Sequence, residues 1–314
     1  MYKILSLDGG GIGGLYTASL LSTLEQMGNV KIADYFDLIV GTSTGGIIAL
    51  GLGAGLTATE IKEFYYRHGP RIFPQTFWSN RIFKSKYSSK ELENSLYSIF
   101  GEKLIGHSTK RLAIPTWNLD TGKARVYKTA HHQRLKLDYK KTMVEVALAT
   151  SAAMTYLPAY SHKGAAFVDG GIWANNPIAL AVTEALSLLD WRPGSFKVLS
   201  IGCPSNAETY RWGAKYPLGI TYWANKITPL LMQSSSEYSL NLSKLLSHHT
   251  DDNKVIYRIQ QLTQASKFKL DKATEQHLNK LIQLGEECAK DHEQEISSDF
   301  FHVKAQEFKP IYTI

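Results

Sequence analysis

The sequence predicts an α/β fold that opens on a parallel sheet. Residues 3–7 are predicted to form a short apolar strand, followed by a helix and by a second strand over 36–40. This order is typical of parallel strands joined by a crossover helix. The second strand runs into a helix over 45–52 that is apolar on nearly every side, as expected for buried elements. Strands and helices continue to alternate up to about residue 202.

Capping signals set the first helix boundaries. A helix over 12–27 carries apolar residues at helical spacing and is closed by Gly28. A hydrophobic staple with a capping box at 56–60 predicts a helix through residue 66, and a box at 88–91 predicts one that ends near residue 101. The segment 67–87 between them is predicted to be poor in helix.

The remaining elements alternate and then become mainly helical. Asn176 before Pro177 is a helix start signature. The predicted strands are 112–117, 124–128, 166–168, 196–201 and 254–260, and the predicted helices are 142–153, 177–189, 221–246 with an interruption at Pro229, and one from about 271. Without a repeat or low-complexity linker, a single domain is predicted, with a catalytic core over about 1–205 and a helical C-terminal extension over about 206–314.

Composition narrows the class of protein. With 314 residues, 44% hydrophobic and 20% charged, a soluble globular chain with a sizeable core is expected. The two cysteines, Cys203 and Cys288, are too few for a disulfide framework and lie in no metal-binding pattern, which favours a reducing cytoplasm. No basic region precedes the first apolar stretch, so no secretory signal is expected.

The uncharged stretch between Asp37 and Glu60 is long enough to span a bilayer. Its six glycines and the polar run 42–44 favour a buried segment of a globular core instead. The net charge of +7 favours an anionic partner such as lipid headgroups or nucleotide phosphates.

The run Gly41-Thr42-Ser43-Thr44-Gly45 matches G-x-S-x-G between a predicted strand and a predicted helix. In that context a strained turn lifts the serine hydroxyl above the sheet edge, and the flanking glycines leave room for the turn. Ser43 is therefore predicted as a nucleophile. A glycine-rich packing turn with an exposed serine is the alternative.

A serine hydroxyl needs a base at neutral pH. The ten histidines offer no obvious candidate, and His248 and His249 follow the end of a helix. Asp169 lies at the end of a short apolar strand, where open α/β sheets place functional groups. It can accept the proton directly if burial and a hydrogen bond from Ser43 hold it, whereas a turn aspartate is the alternative.

The glycines near the N-terminus allow two interpretations. Gly9, Gly11 and Gly14 match the dinucleotide fingerprint G-x-G-x-x-G, and Asp34 stands about 20 positions further on, where an acidic residue would hold the ribose. Too few residues precede Asp34 for a full strand. With Gly10, three consecutive glycines instead predict backbone N–H groups that meet in one cavity as an anion hole.

Four motifs stand in the order found in the patatin-like phospholipases, which the chain resembles over about residues 1–260. They are Asp8-Gly9-Gly10-Gly11-Ile12-Gly13-Gly14, Gly41-Thr42-Ser43-Thr44-Gly45-Gly46, Ala149-Thr150-Ser151-Ala152-Ala153 and Asp169-Gly170-Gly171-x-x-x-Asn175-Asn176-Pro177. The resemblance implies a three-layer α/β/α fold with a mainly parallel central sheet and extra C-terminal helices. It also implies lipid acyl hydrolysis by a Ser/Asp dyad, without histidine, metal or cofactor.

Carried onto this chain, the resemblance makes Ser43 the nucleophile and Asp169 the general base. It makes the backbone of Gly9, Gly10 and Gly11 the oxyanion hole. The motif glycines in supporting roles are Gly14, Gly41, Gly45, Gly170 and Gly171. Gly13 stands where the family usually has Arg or Lys, a departure that bears on headgroup preference.

The chain also resembles the bacterial patatin-like effectors of antiphage systems that cyclic oligonucleotides switch on. This implies a cyclic di- or trinucleotide activator, membrane phospholipids as substrate, a homo-oligomer on activation and action at the inner face of the cell membrane, with no DNA or RNA polymer as partner. The alternatives are a constitutive housekeeping hydrolase, an α/β-hydrolase triad of Ser43, Asp169 and His248 or His249, a dinucleotide-binding protein, and a messenger-binding module without catalysis.

Two basic segments accompany the motifs. Lys62 to Lys90 holds seven Lys or Arg against one acid, and Thr121 to Lys141 holds seven against one. The interleaved aromatic residues are Phe73, Phe77, Trp78, Phe83 and Tyr87 in the first and Tyr127 and Tyr139 in the second. Such segments can grip phosphates and stack bases or dock on an anionic bilayer, and the first fits a lid over an acyl site. A solvated basic face is the alternative.

Overall fold

The computed structural model describes residues 1–75, 85–206, 219–223, 226–263 and 268–314. Its strands are β1 (Tyr2–Leu7), β2 (Leu38–Gly41), β3 (Arg111–Asn118), β4 (Lys123–Lys128), β5 (Tyr160–His162), β6 (Ala165–Asp169), β7 (Phe196–Ile201), β8 (Ser205–Asn206), β9 (Ile256–Ile259) and β10 (Leu262–Thr263). Within these residues eight strands form one sheet, ordered β5-β6-β3-β2-β1-β7-β9 with β4 on β3, and β8 pairs with β10 separately.

Two ends of the sheet differ in strand direction. The strands β3, β2, β1, β7 and β9 run parallel, which confirms the predicted parallel opening. The end formed by β4, β6 and β5 is antiparallel.

The helices are α1 (Gly14–Gly28), α2 (Thr44–Gly53), α3 (Ala58–Ile72), α4 (Ser89–Phe100), α5 (Met143–Ser151), α6 (Gly171–Ala174), α7 (Ile178–Ser187), α8 (Ile220–Trp223), α9 (Ile227–Leu246) and α10 (Glu275–Phe300).

Helices cover both faces of the sheet, so the predicted three-layer α/β/α architecture is confirmed. Successive strand residues point to opposite faces, and neighbours such as Ile4 and Leu5 lie in two different apolar clusters. One cluster joins the sheet to α1, α2, α3, α4, α5 and α10, and the other joins it to α7 and α9. The uncharged stretch belongs to β2 and α2, and every residue of α2 is buried.

Strands β2 and β6 meet end to end along one edge of β3. β4 pairs with one edge of β3 from Ala113 to Asn118. The other edge is shared by two strands: β2 pairs with residues 111–113 in the parallel direction, and β6 pairs with residues 116–118 in the antiparallel direction. Their carboxyl ends therefore face each other across Pro115. Because proline has no N–H, no donor of Pro115 is left unpaired in this gap. The fold thus brings the residues after β2 and β6 together.

The first half of the chain differs from prediction mainly at α3. The predicted capping box forms, since Thr57 Oγ1 accepts from Glu60 N at 3.2 Å and Glu60 Oε2 accepts from Thr57 N at 2.7 Å. The prediction that the helix ends at residue 66 is wrong, because α3 continues through Pro70 to Ile72. Its apolar face, including Phe64 and Ile72, packs into the core and outweighs the backbone bond that proline loses. The short strand β5 was not predicted.

Residues beyond 205 are built into the sheet and its helical layers. β9 extends the sheet beside β7, and α10 packs along α1, where Gly285 lies against the α1 backbone. The predicted helix over 221–246 is found as two helices, α8 and α9, and Pro229 lies in the first turn of α9 instead of at a break within it. The last helix starts at Glu275 instead of Asp271. Among the described residues, no helix combines the length and apolar character needed to cross a bilayer.

Candidate active site

Ser43 occupies a sharp turn between β2 and α2. Its backbone angles, φ 54° and ψ −121°, define a conformation that L residues rarely adopt. This conformation is the strained turn predicted from G-x-S-x-G. The turn depends on close approach of backbones, since a Cβ on Gly45 would lie 2.3 Å from Leu7 O. The Ser43 side chain thereby stands at the start of α2, where the helix dipole favours negative charge.

Asp169 ends β6 and faces Ser43 directly. Ser43 Oγ donates to Asp169 Oδ2 at 2.6 Å, and the Gly171 N–H donates to Asp169 Oδ1 at 2.7 Å. Both carboxylate oxygens are therefore oriented by hydrogen bonds. The structure brings together the two residues that the sequence predicted as a dyad.

Burial changes the acidity of this carboxyl group. Desolvation raises the pKa of Asp169 to about 6, against the opposing effect of hydrogen bonds from Ser43 and Gly171. A carboxylate with this pKa is a stronger base than an ordinary aspartate and is still mostly ionised at neutral pH. The site therefore holds a hydroxyl next to a group able to take its proton.

Thr150 supports the turn from the far side. Its Oγ1 accepts from Ser43 N at 3.0 Å and donates to Pro115 O at 2.6 Å, inside the gap between β2 and β6. Thr150 lies in the last turn of α5, which is the third motif of the resemblance. The motif thus contributes the side-chain hydroxyl that accepts from the Ser43 N–H and fixes its peptide.

The glycine loop passes beside Ser43 and supplies free donors. Gly10 and Gly11 line the cavity at Ser43, and their N–H groups have no hydrogen-bond partner in the described part of the chain. Gly9 differs, because its N–H donates to Asn175 O at 2.9 Å. The predicted donor set of Gly9, Gly10 and Gly11 is therefore corrected to Gly10 and Gly11. Gly9 instead allows the loop to pass close to the Ser43 side chain.

Phe268 fills the space next to Gly13, where the resemblance leads one to expect a cation. A Cβ on Gly13 would lie 2.9 Å from the Phe268 ring and 3.3 Å from the Cys203 Cβ. Both neighbours are buried, and burial raises the pKa of the Cys203 thiol to about 12, so it stays protonated. An apolar ring thus packs where the resemblance implies Arg or Lys.

A buried ion pair, missed in the sequence, holds the base of the glycine loop. Arg258 on β9 donates to both carboxylate oxygens of Asp8, at 2.8 and 2.6 Å. Arg258 also donates to Ser200 Oγ on β7 at 2.7 Å. Asp8 could have been singled out because it precedes the glycines, but no local signal marks Arg258, which lies 250 residues away.

A cavity of about 510 Å³ opens above the dyad. Ser43, Asp169, Gly10 and Gly11 lie in its wall. Its apolar lining comes chiefly from α2, α3, α4 and the segment after α5: Ile12, Ile47, Phe64, Ile72, Phe73, Leu92, Met154 and Leu157. Such a cavity suits an acyl chain with its ester at the dyad.

The predicted alternatives place their residues elsewhere. Among the described lining residues of this cavity there is no histidine. His249 Nδ1 instead accepts from Val255 N and Ile256 N, both at 3.1 Å, and so fixes the loop before β9. Asp34 lies in a 3-10 turn and pairs with Lys304, without the strand that a dinucleotide site needs. The described residues contain no cluster of three potential metal ligands from His, Cys, Asp and Glu.

The basic segments are partly neutralised. Arg67 pairs with Glu63, Lys86 with Asp271, Arg125 with Asp138 and Lys128 with Glu184. Phe73 and Tyr87 pack edge to face beside the cavity. The predicted residues Phe77, Trp78 and Phe83 lie outside the described residues.

The chain is similar to known proteins over most of its length. Residues 5–182 match the family model described as patatin-like phospholipase. A relative named "cGAMP-activated phospholipase" from Pseudomonas aeruginosa is 36% identical over 245 residues, which cover 76% of this chain and 73% of that protein. A relative of the same name from Vibrio cholerae is 32% identical over an alignment that covers 98% of this chain and 96% of that protein. "Patatin-like protein 2" of Arabidopsis thaliana is 31% identical over an alignment that covers 92% of this chain and 83% of that protein.

The Asp8–Arg258 pair yields a stability prediction. In Asp8→Asn the Arg258 guanidinium stays buried without its counter-ion, so we expect the free energy of unfolding to fall by about 3–5 kcal/mol in urea denaturation. Glu63→Gln is the matched control, because its partner Arg67 has 72% of its side chain exposed, and we expect little change there. Equal losses in the two variants would contradict the structural role of the buried pair.

Proposed function

Because the chain belongs to the patatin-like phospholipase family, we propose that it hydrolyses the acyl esters of membrane phospholipids with Ser43 as nucleophile and Asp169 as general base. The observation that carries the proposal is the 2.6 Å hydrogen bond from Ser43 Oγ to Asp169 Oδ2 at the wall of an apolar cavity. The N–H groups of Gly10 and Gly11, which lie beside Ser43 and have no partner within the described residues, support it further.

In the first half of the proposed cycle, Ser43 Oγ attacks the ester carbonyl while its proton passes to Asp169 Oδ2. The carbonyl oxygen becomes an oxyanion, and the N–H groups of Gly10 and Gly11 are positioned to stabilise it. The carbon–oxygen bond to the leaving group then breaks, and Asp169 returns its proton to the departing lysolipid alkoxide. An acyl ester on Ser43 remains.

In the second half, water attacks the acyl ester and gives its proton to Asp169. The new oxyanion uses the same two N–H groups, and its collapse releases the fatty acid. Asp169 then returns the proton to Ser43 Oγ, so the enzyme recovers its starting state. The proposed cycle moves every proton through Asp169.

The rim of the cavity supports access from a membrane surface. Met154 and Ile172 line the cavity and are nevertheless 51% and 41% exposed. On the adjoining part of α9, Ile227 and Leu231 are 48% and 60% exposed, close to Met232 in the cavity wall. Apolar side chains around an opening can enter the headgroup region and deliver a lipid tail to the site. We propose this rim docks on the inner face of the cell membrane.

We further propose that a cyclic nucleotide activates the enzyme, in line with the printed names of the Pseudomonas and Vibrio relatives. This would give it a role in antiviral defence, whereas a constitutive lipid hydrolase is the alternative. Hydrolysis of phospholipid vesicles with and without cyclic GMP–AMP separates the two. Equal rates with and without the nucleotide would contradict the proposed activation and leave the hydrolase proposal intact. Nucleotide binding without hydrolysis would favour a non-catalytic module.

The dyad is tested by Ser43→Ala and Asp169→Asn. Each removes a group through which both halves of the cycle pass, so we expect at least a thousandfold loss of turnover of a fluorogenic phospholipid. Ser151→Ala is the matched control, since Ser151 lines the same cavity but donates its hydroxyl to Ala147 O. A His248→Ala/His249→Ala variant should keep its activity. Wild-type turnover by either dyad variant, or loss in a histidine variant whose circular dichroism spectrum is unchanged, would refute the dyad.

The raised pKa of Asp169 predicts the pH dependence. The base works only when ionised, so kcat/KM for a short-chain ester should rise with pH to a plateau, with a midpoint near the pKa of about 6. Well below that pH we expect about a tenfold loss per pH unit, because the protonated fraction dominates. Circular dichroism at each pH provides the control for unfolding. A rate that is flat from pH 5 to 8 would speak against Asp169 as base.

The docking rim is tested by Ile227→Asp/Leu231→Asp. Charges at these positions should oppose entry into the headgroup region and lower vesicle hydrolysis about tenfold or more, with unchanged turnover of a soluble short-chain ester. Leu245→Asp is the matched control, because Leu245 is 76% exposed on the same helix but about 20 Å further along it. A similar loss in the control would show that the effect is not specific to the rim.

A further inference from the structure

A second cavity of about 520 Å³ lies at the antiparallel end of the sheet, away from the dyad. Its walls come from β4, β5 and β6 and from the start of α5. This size lies within the range of small-molecule sites. The cavity belongs to no step of the proposed hydrolysis.

The cavity carries excess positive charge. Lys123, Arg125, Lys141 and Lys163 line it, against the single carboxylate of Glu145 among its described lining residues, and of these four cations Arg125 is paired with Asp138. That carboxylate is already engaged, with Oε2 accepting from the backbone and Oε1 lying 2.9 Å from His162 Nε2 and 3.8 Å from Lys141 Nζ. Lys123 and Lys163 have no carboxylate partner in the described ranges, so the cavity is suited to an anion.

Aromatic side chains accompany these cations. Tyr127 and Phe167 line the cavity but are themselves buried in the core, with ring centroids 6.1 Å apart, whereas Tyr160 is half-buried and stacks on His162 at an interplanar angle of 12°. The Arg125 guanidinium lies over the Tyr127 ring at 5.2 Å. Aromatic faces next to cations match a ligand that has a planar base and a phosphate.

We propose that this cavity binds a purine nucleotide through its phosphate and base, and that it is the activator site. This rests on the proposed activation by a cyclic nucleotide, which it extends by naming the residues that would hold it. The phosphate would lie between Lys123 and Lys163, and the base would stack on the Tyr160 side of the cavity.

Two elements connect this cavity to the dyad. Glu145 in the first turn of α5 lines the cavity, and Thr150 in the last turn accepts from Ser43 N. On β6, Phe167 lines the cavity and Asp169 follows two residues later. The separations are about 7.5 Å along α5 and about 7 Å along β6. A ligand that prefers one arrangement of these elements would thereby act on both Asp169 and the Ser43 turn.

Binding to Ser43→Ala protein, measured by isothermal titration calorimetry, tests the site without relying on hydrolysis. The probes are cyclic GMP–AMP, GMP and inorganic phosphate. We expect cyclic GMP–AMP to bind most tightly. In Lys123→Gln/Lys163→Gln its affinity should fall at least tenfold, and in Tyr160→Leu several-fold. Lys280→Gln/Lys290→Gln, with the same charge change on α10, should stay within twofold.

Unchanged affinity in both cavity variants would overturn the proposal, as would phosphate binding as tightly as the nucleotides. Tighter binding of GMP than of cyclic GMP–AMP would overturn the assignment to a cyclic activator. Circular dichroism of the cavity variants shows whether they fold, and turnover of a short-chain ester by protein with Ser43 and an intact cavity tests the hydrolase separately. Unchanged affinity in folded cavity variants therefore refutes this site alone, whereas no nucleotide binding by the Ser43→Ala protein with an intact cavity would also contradict the proposed activation.

Discussion

The contact between the Ser43 hydroxyl and the Asp169 carboxylate depends on two strands that meet end to end on β3. Only because β6 runs antiparallel does its carboxyl end face that of β2. Pro115 lies in the gap and contributes a carbonyl that Thr150 binds, without adding a donor that would need a partner. The dyad is thus a consequence of strand direction, and the neighbouring motifs secure it.

Enclosing this contact has opposing effects. Burial raises the pKa of Asp169 because the charged form loses hydration, and the same exclusion of water strengthens the hydrogen bonds around the dyad. The surroundings compensate with oriented donors, from Gly171 to the carboxylate and from the glycine loop towards the cavity. The loop in turn rests on Asp8, whose charge is balanced by Arg258 from the far edge of the sheet.

The two cavities share structural elements although they differ in chemistry. The one at the dyad is mainly apolar, and the other combines cations with aromatic rings. Helix α5 and strand β6 each reach from one to the other over only a few residues. A rigid helix and a paired strand transmit small displacements better than a loop would, because packed elements resist local deformation. This arrangement offers a physical route from ligand binding to acyl transfer.

The amino-acid sequence by itself determined the elements that have clear periodicity and caps. It also pointed to Ser43 and Asp169 as the candidate nucleophile and base, because a strained turn and a strand end have local signatures. It did not determine the extension of α3 past Pro70, since core packing overrode the local preference. Only the tertiary structure decided that the Gly9 N–H donates to Asn175 O and that Arg258 balances the charge of Asp8. Those contacts join residues far apart in the chain, and their partners are set by strand order and direction, which no local pattern encodes.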